Sequence, residues 1–152
     1  MSEFLLGVLA SLVAGVVVFI LKIIWPNLTD KCLYKGVRVE GMWDVMEERS
    51  GRSLKVGRLE LKQRGCRLTG ISSRTKTRDG KNSDRKFNYH GLINGNQVTL
   101  VFEDALGVGF DTGTYVFTVY NDGTTMVGMA TFHGKRENKI ISEPRILRKT
   151  VA

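Results

Sequence analysis

Residues Phe4 to Trp25 read FLLGVLASLVAGVVVFILKIIW, an apolar run broken only by Lys22 near its end. About 22 residues at about 1.5 Å each make a helix of about 33 Å, enough to cross a hydrocarbon core of about 30 Å. After Trp25 the pattern changes from continuous to alternating. Period-two alternation predicts strands at Val39 to Glu47, Val56 to Gln63, Arg67 to Arg74, Lys86 to Ile93, Gln97 to Glu103, Thr114 to Tyr120, Thr125 to His133 and Ile140 to Lys149. Arg64-Gly65, Asn94-Gly95-Asn96 and Asn121-Asp122-Gly123 supply residues that tolerate positive φ between them.

Parity then assigns one face. Trp43 and Val45, Leu59 and Leu61, Phe87 and Tyr89, Leu100 and Phe102, and Tyr115 and Phe117 fall on alternate positions, while Arg58, Glu60, Lys62, Asn88, Thr99 and Thr114 take the others. Every connection is a local hairpin, so the predicted fold is mainly β. It is an eight-stranded antiparallel up-and-down barrel preceded by one N-terminal transmembrane helix. A two-sheet sandwich is the alternative. The expected divisions are a membrane helix over 1–26, a juxtamembrane linker over 27–38 and a barrel over 39–150.

Three features separate the apolar run from a secretory signal peptide. Met1-Ser2-Glu3 carries no basic side chain, the run exceeds an h-region, and Trp25-Pro26-Asn27 offers no small-residue cleavage site. Glu3 precedes the run, whereas Lys22, Lys31, Lys35 and Arg38 lie within or after its end, so the following domain is expected to be cytoplasmic. Lys22 can snorkel to the interface beside Trp25. Gly7, Ser11 and Gly15 recur every four residues, with Ala10 and Ala14 beside them. Small residues at that period let two helices approach closely, so self-association through this ridge is expected.

About 125 residues remain for one domain with its own core. The chain carries a net charge of +8, and its distribution is uneven. Thirteen basic residues against three acidic ones lie between Arg49 and Lys86, a balance of +10 that leaves −2 for the remainder. A field of that sign favours an anionic partner. Cys32 and Cys66 form no metal-ligand cluster and agree with a reducing compartment, and Asn27-Leu28-Thr29 is a sequon on the predicted cytoplasmic side. His90 and His133 are isolated, no nucleophile motif is present, and Gly107-Val108-Gly109 lies between strands and not before a helix. A binding module without catalytic residues, metal or cofactor is therefore expected.

If Leu68 and Gly70 point inward, Ser72 and Arg74 follow, bringing a guanidinium to one rim beside Arg78. Tyr89 and Tyr115 share the inward parity of later strands and can stack on a base. Phosphate on Arg74 and Arg78, with a base on Tyr89 and Tyr115, would suit a nucleotide. Gly41-Met42-Trp43, with Arg145 or Arg148 in the last strand, resembles the Gly-x-Trp plus late-Arg arrangement of lipocalin-like barrels, in which the indole plugs one end.

The N-terminal helix, the Lys- and Tyr-bearing linker and several strand patterns together resemble a known family. Those patterns are Val39-Glu40-Gly41-Met42-Trp43, the run from Val56 to Gly65, Leu68-Thr69-Gly70, Tyr89-His90-Gly91-Leu92-Ile93 and Met126-Val127-Gly128. The family is the transmembrane, β-strand-rich effectors of bacterial anti-phage CBASS operons. The resemblance implies a cytosolic barrel that binds a cyclic dinucleotide made by a CD-NTase-type partner enzyme. It also implies a homo-oligomeric membrane segment that disrupts the bacterial inner membrane, causing abortive infection. Those effectors carry two membrane helices, whereas one is found here, so a single-pass chain would build any pore from several copies around Gly7, Ser11 and Gly15. The ligand could release the membrane segment or restrain it. Two other readings are a tethered carrier of an apolar ligand and a tethered binder of nucleic acid or anionic lipid. The leading reading calls for no specific DNA or RNA.

Overall fold

The computed structural model of the chain describes residues 2–49, 51–77, 80–107, 111–134 and 137–150. It divides into two compact units, 1–35 and 36–152. In the first, helix α1 runs from Ser2–Leu33. Its Gly7–Ile24 window has a mean hydropathy of 2.6 and, among the described residues, none buried, which makes it long and apolar enough to cross a bilayer. The helix passes through Pro26, so the first seven residues expected in the linker are helical. Proline removes one backbone donor there without ending the element. On the expected ridge, the Ser11 hydroxyl donates to the Gly7 carbonyl at 2.9 Å. A Cβ placed on Gly7 or Gly15 would meet no heavy atom within 4 Å, so the ridge is open.

The second unit is a closed antiparallel barrel with strands in sequence order. The strands are β1 (Gly41–Arg49), β2 (Arg52–Arg64), β3 (Arg67–Arg74), β4 (Lys86–Asn94), β5 (Gln97–Asp104), β6 (Thr112–Tyr120), β7 (Thr125–Gly134) and β8 (Lys139–Lys149). Closure is made by β1 pairing β8, from Trp43 opposite Lys149 to Met46 opposite Ile146. The expected barrel is thus the observed one, and the sandwich is not. Gly65 and Gly95 turn at φ 58° and 59°, and Asn121–Gly123 closes as one 3₁₀ turn.

Alternation puts Trp43, Leu59, Leu61, Leu68, Ile93, Val98, Leu100, Phe117, Met126 and Leu147 wholly inside. Each such side chain stabilises the fold by about 1.5–3 kcal/mol relative to exposure. Gly91 and Gly128 hold inward positions where a Cβ would overlap the carbonyl oxygens of Thr99 and Val116. Only glycine permits strands to approach this closely as the sheet curls into a narrow barrel. β2 begins four residues before the predicted start, because Arg52, Ser53, Leu54 and Lys55 are all exposed and show no alternation. A bulge follows: Val45 faces Gly57 and Met46 faces Lys55, which leaves Val56 as the extra residue.

One end of the barrel is closed by the entering segment. Gln63 accepts from the Val39 amide at 2.8 Å and donates to the Gly65 carbonyl at 2.9 Å. The fully buried Trp43 indole donates to the Val39 carbonyl at 2.8 Å. Across the same end, Arg38 and Val37 pack against Gly123 in the turn between β6 and β7. Val39, predicted as strand, is buried here outside the ladder, with its backbone groups satisfied by side chains. The cation over Trp43 is Lys149, 5.7 Å from the ring centroid, and neither of the expected arginines. Arg148 lies exposed opposite Asp44, and Arg145 points into the other end. The offset between β8 and β1 decides which basic residue meets the indole, and parity does not specify that offset.

Candidate functional site

The C-terminal ends of β1, β3, β5 and β7 lie at the opposite end, and a cavity of 230 Å³ opens there. Its inner wall is aromatic. Phe87, Phe102, Tyr115 and Phe132 line it. Phe87 meets Phe102 edge to face at 5.7 Å and 88°, and Phe102 lies 5.2 Å from Tyr115. Tyr89 stands behind them, 5.7 Å from Tyr115 and 5.8 Å from Phe102. These rings come from inward positions of β4, β5, β6 and β7, so the period-two pattern itself assembles the wall.

The upper wall is charged. On β1, inward parity runs from Trp43 through Val45 to Glu47, and the Glu47 side chain is only 5% exposed. Its Oε1 lies 2.9 Å from an Arg145 nitrogen and 3.3 Å from an Arg74 nitrogen. Arg145 also donates to Glu143 at 2.7 Å and to the Pro144 carbonyl at 3.0 Å. Arg74 donates through Nε to the Lys76 carbonyl at 2.7 Å. On the far side, Arg85 bonds Asp104 at 2.5 Å, pairs with Asp111, and stands 5.1 Å over the Phe87 ring. Burial opposes the Arg85 charge, but the hydrogen bonds it donates to Asp104 and Asp111 outweigh it and hold its pKa above the ordinary value.

Two of the four predicted ligand residues, Arg74 and Tyr115, line this cavity. Tyr89 is in the same aromatic cluster but off the cavity wall, with its hydroxyl accepting from Ser72 at 3.4 Å. Burial drives the Tyr89 phenol well above its usual pKa, so it stays protonated. Arg78 lies outside the described residues. Gly7, Ser11 and Gly15 belong to the other unit and have no part in the cavity.

Glu47, Arg85, Asp111, Phe132 and Arg145 were not anticipated as site residues. Their signal was present for Glu47 and Phe132, which continue the inward parity of their strands. A charge near a strand end reads equally well as surface, and only the closed register turns Glu47 and Arg145 toward each other.

The basic segment divides sharply. Arg74 and Arg85 reach the cavity, whereas Arg52, Lys55, Arg58, Lys62, Arg64, Arg67, Lys76, Lys81 and Lys86 are exposed on the outer wall and loops. The cavity is itself charge-balanced, with Arg74, Arg85 and Arg145 opposed by Glu47, Asp111 and Glu137. Among the described residues, no group of three or more His, Cys, Asp or Glu is placed to hold a metal ion. Chemically, the cavity offers planar stacking surfaces and fixed guanidiniums, the two elements that recognise an aromatic base and an anionic oxygen group. No protein-family model matches the chain, and no curated protein matches it in sequence.

Proposed function

We propose that this protein is a membrane-anchored sensor whose barrel binds a nucleotide-type ligand at its open end and whose helix is the output element. The observation that carries this reading is the meeting of a wall of aromatic rings and three guanidiniums in one cavity. The volume of 230 Å³ is below the ~300–1,000 Å³ of pockets that engulf drug-sized ligands. The cavity therefore takes one base and an adjoining phosphate, with the rest of a larger ligand along the rim.

A cyclic dinucleotide meets that description and is the ligand implied by the resemblance to CBASS effectors. In this reading a CD-NTase-type enzyme supplies the ligand, the barrel faces the bacterial cytoplasm, and occupancy controls assembly of α1 in the inner membrane. The open ridge of Gly7, Ser11 and Gly15 supports helix–helix contact. Assembly that disrupts the membrane would end phage propagation with the infected cell. Buried ion pairs speak against a carrier of purely apolar ligands.

The test is calorimetric titration of the full chain in lipid nanodiscs with a panel of cyclic dinucleotides. Saturable binding of at least one is the expected result, and absence of binding across the panel removes the reading. For the output, Gly15→Leu should reduce cross-linked oligomers several-fold in liposomes while ligand affinity stays within about twofold. Unchanged assembly would remove the ridge from the account.

A further inference from the structure

We propose that Glu47 is a built-in stand-in for the ligand's anionic group. It occupies the cleft between Arg74 and Arg145 until an incoming anion displaces it. This rests on the reading of the cavity as an anion-recognising site, and it adds the residue that sets how strongly anions bind there.

The geometry points to exchange because one oxygen serves both guanidiniums. Glu47 Oε1 is within 3.3 Å of nitrogens on Arg74 and on Arg145. These arginines come from β3 and β8, with β1 and β2 between them in the sheet. Two like charges brought to one point repel unless an anion lies between them. The fold supplies that anion from β1. All three residues border the cavity, so the bridged oxygen stands where a ligand's charged group would seek the same donors.

Arg145 keeps Glu143 as a second carboxylate partner and Arg74 keeps the Lys76 carbonyl, so both side chains stay held if Glu47 leaves. Glu47 has somewhere to go. It lies two residues from the end of β1, and Glu48 and Arg52 to Lys55 beside it are all exposed. A phosphate offers several acceptor oxygens to guanidinium forks, whereas Glu47 presents one oxygen to both.

The exchange explains how a chain with a basic outer wall can have a charge-balanced cavity and still select anions. A neutral planar molecule can stack on the aromatic wall without moving Glu47. A phosphate-bearing one must compete with it. Glu47 therefore sets the threshold concentration at which an anionic ligand occupies the barrel.

The test compares wild type and Glu47→Gln, both full-length in nanodiscs, with inorganic phosphate, guanosine 5′-monophosphate and guanosine. Glutamine keeps the shape and removes the competing charge. Binding of the two anions should tighten by about tenfold or more, and that of guanosine should stay within about twofold. Equal or weaker anion binding by the variant overturns the proposal, as does absence of phosphate binding to both proteins.

If Glu47→Gln does not fold, a structure of wild type with phosphate decides. Loss of the Glu47 contacts to Arg74 and Arg145, with a phosphate oxygen in their place, is expected. Retention of both contacts beside bound phosphate overturns the exchange. Tighter phosphate binding by the variant together with no cyclic dinucleotide binding by either protein would refute the proposed ligand and leave the exchange standing.

Discussion

The two ends of the barrel are made by the same strands under the same alternation, yet their inward positions do opposite things. At the closed end they carry Trp43, Leu61, Leu68, Ile93, Val98 and Met126, and Gln63 satisfies the backbone of the entering segment. At the open end they carry Glu47, Arg74 and Arg145 above a wall of aromatic rings. Apolar burial gives the first end stability. The second end holds buried charge, which contributes little net stability but fixes where charged groups stand. A small barrel can thus separate apolar packing from buried charge along its axis.

Removing the closed-end plug should have the largest effect. Trp43→Ala leaves a cavity in the sealed core and strips the Val39 carbonyl of its donor, for an expected loss of about 3–5 kcal/mol in urea unfolding. A loss below about 1 kcal/mol would mean that this end is not the stabilising one.

Next in size is the open-end charge cluster. Arg145→Leu should cost about 3 kcal/mol, because Glu47 and Glu143 lose their shared partner. Adding Glu47→Leu and Arg74→Leu should recover part of that stability, because apolar side chains then replace the buried Glu47 carboxylate and its two guanidinium partners, while the partly exposed Glu143 stays charged. The triple variant should then be more stable than Arg145→Leu in urea unfolding and unable to bind anions. If the triple variant is less stable than Arg145→Leu alone, the two ends are not separated in the way described.

Alkaline pH probes the boundary between the ends. The folded-state pKa of Tyr89 is raised by burial, so its contribution is complete below the unfolded value of about 10 and is lost as pH rises toward the folded value. Unfolding free energy should fall above about pH 10, and Tyr89→Phe should flatten that fall.

Acid pH probes the outer wall and should have the smallest effect. A hydrogen bond from Lys55, at 2.6 Å, holds the Asp44 carboxyl below the usual range. Its contribution is present above the unfolded pKa of about 3.9 and lost as pH falls through the lower folded value. Asp44→Asn should change stability by no more than about 1 kcal/mol at neutral pH and remove that part of the acid dependence, read by thermal unfolding.

Much of this division is legible in the sequence, for a physical reason. Parity depends only on the strand period, so the inward sets of β3, β4, β5 and β6 can be read directly, and Arg74 and Tyr115 with them. Register between distant strands is a different quantity. It decides that Lys149 and not Arg145 covers Trp43, and that Arg145 meets Glu47, and the alternation within each strand carries no trace of it. The entering segment escapes for another reason: Val37 to Val39 hold their place through Gln63 and Trp43, with no periodic pattern of their own. The segmental charge of +10 pointed to an anionic partner, but most of it lies outside the barrel, where composition cannot distinguish a solvated wall from a binding site.

The division between cavity and outer wall is also where the functional account is most exposed. The most direct measurement is titration of the full chain in nanodiscs with the cyclic dinucleotide that binds best. Wild type would be compared with a cavity variant, Arg74→Gln/Tyr115→Ala, and an outer-wall variant, Arg58→Gln/Lys62→Gln. Affinity should fall by about tenfold or more in the cavity variant and change by about twofold or less in the outer-wall variant. Affinity that survives the cavity substitutions and collapses on neutralising the outer wall would contradict it.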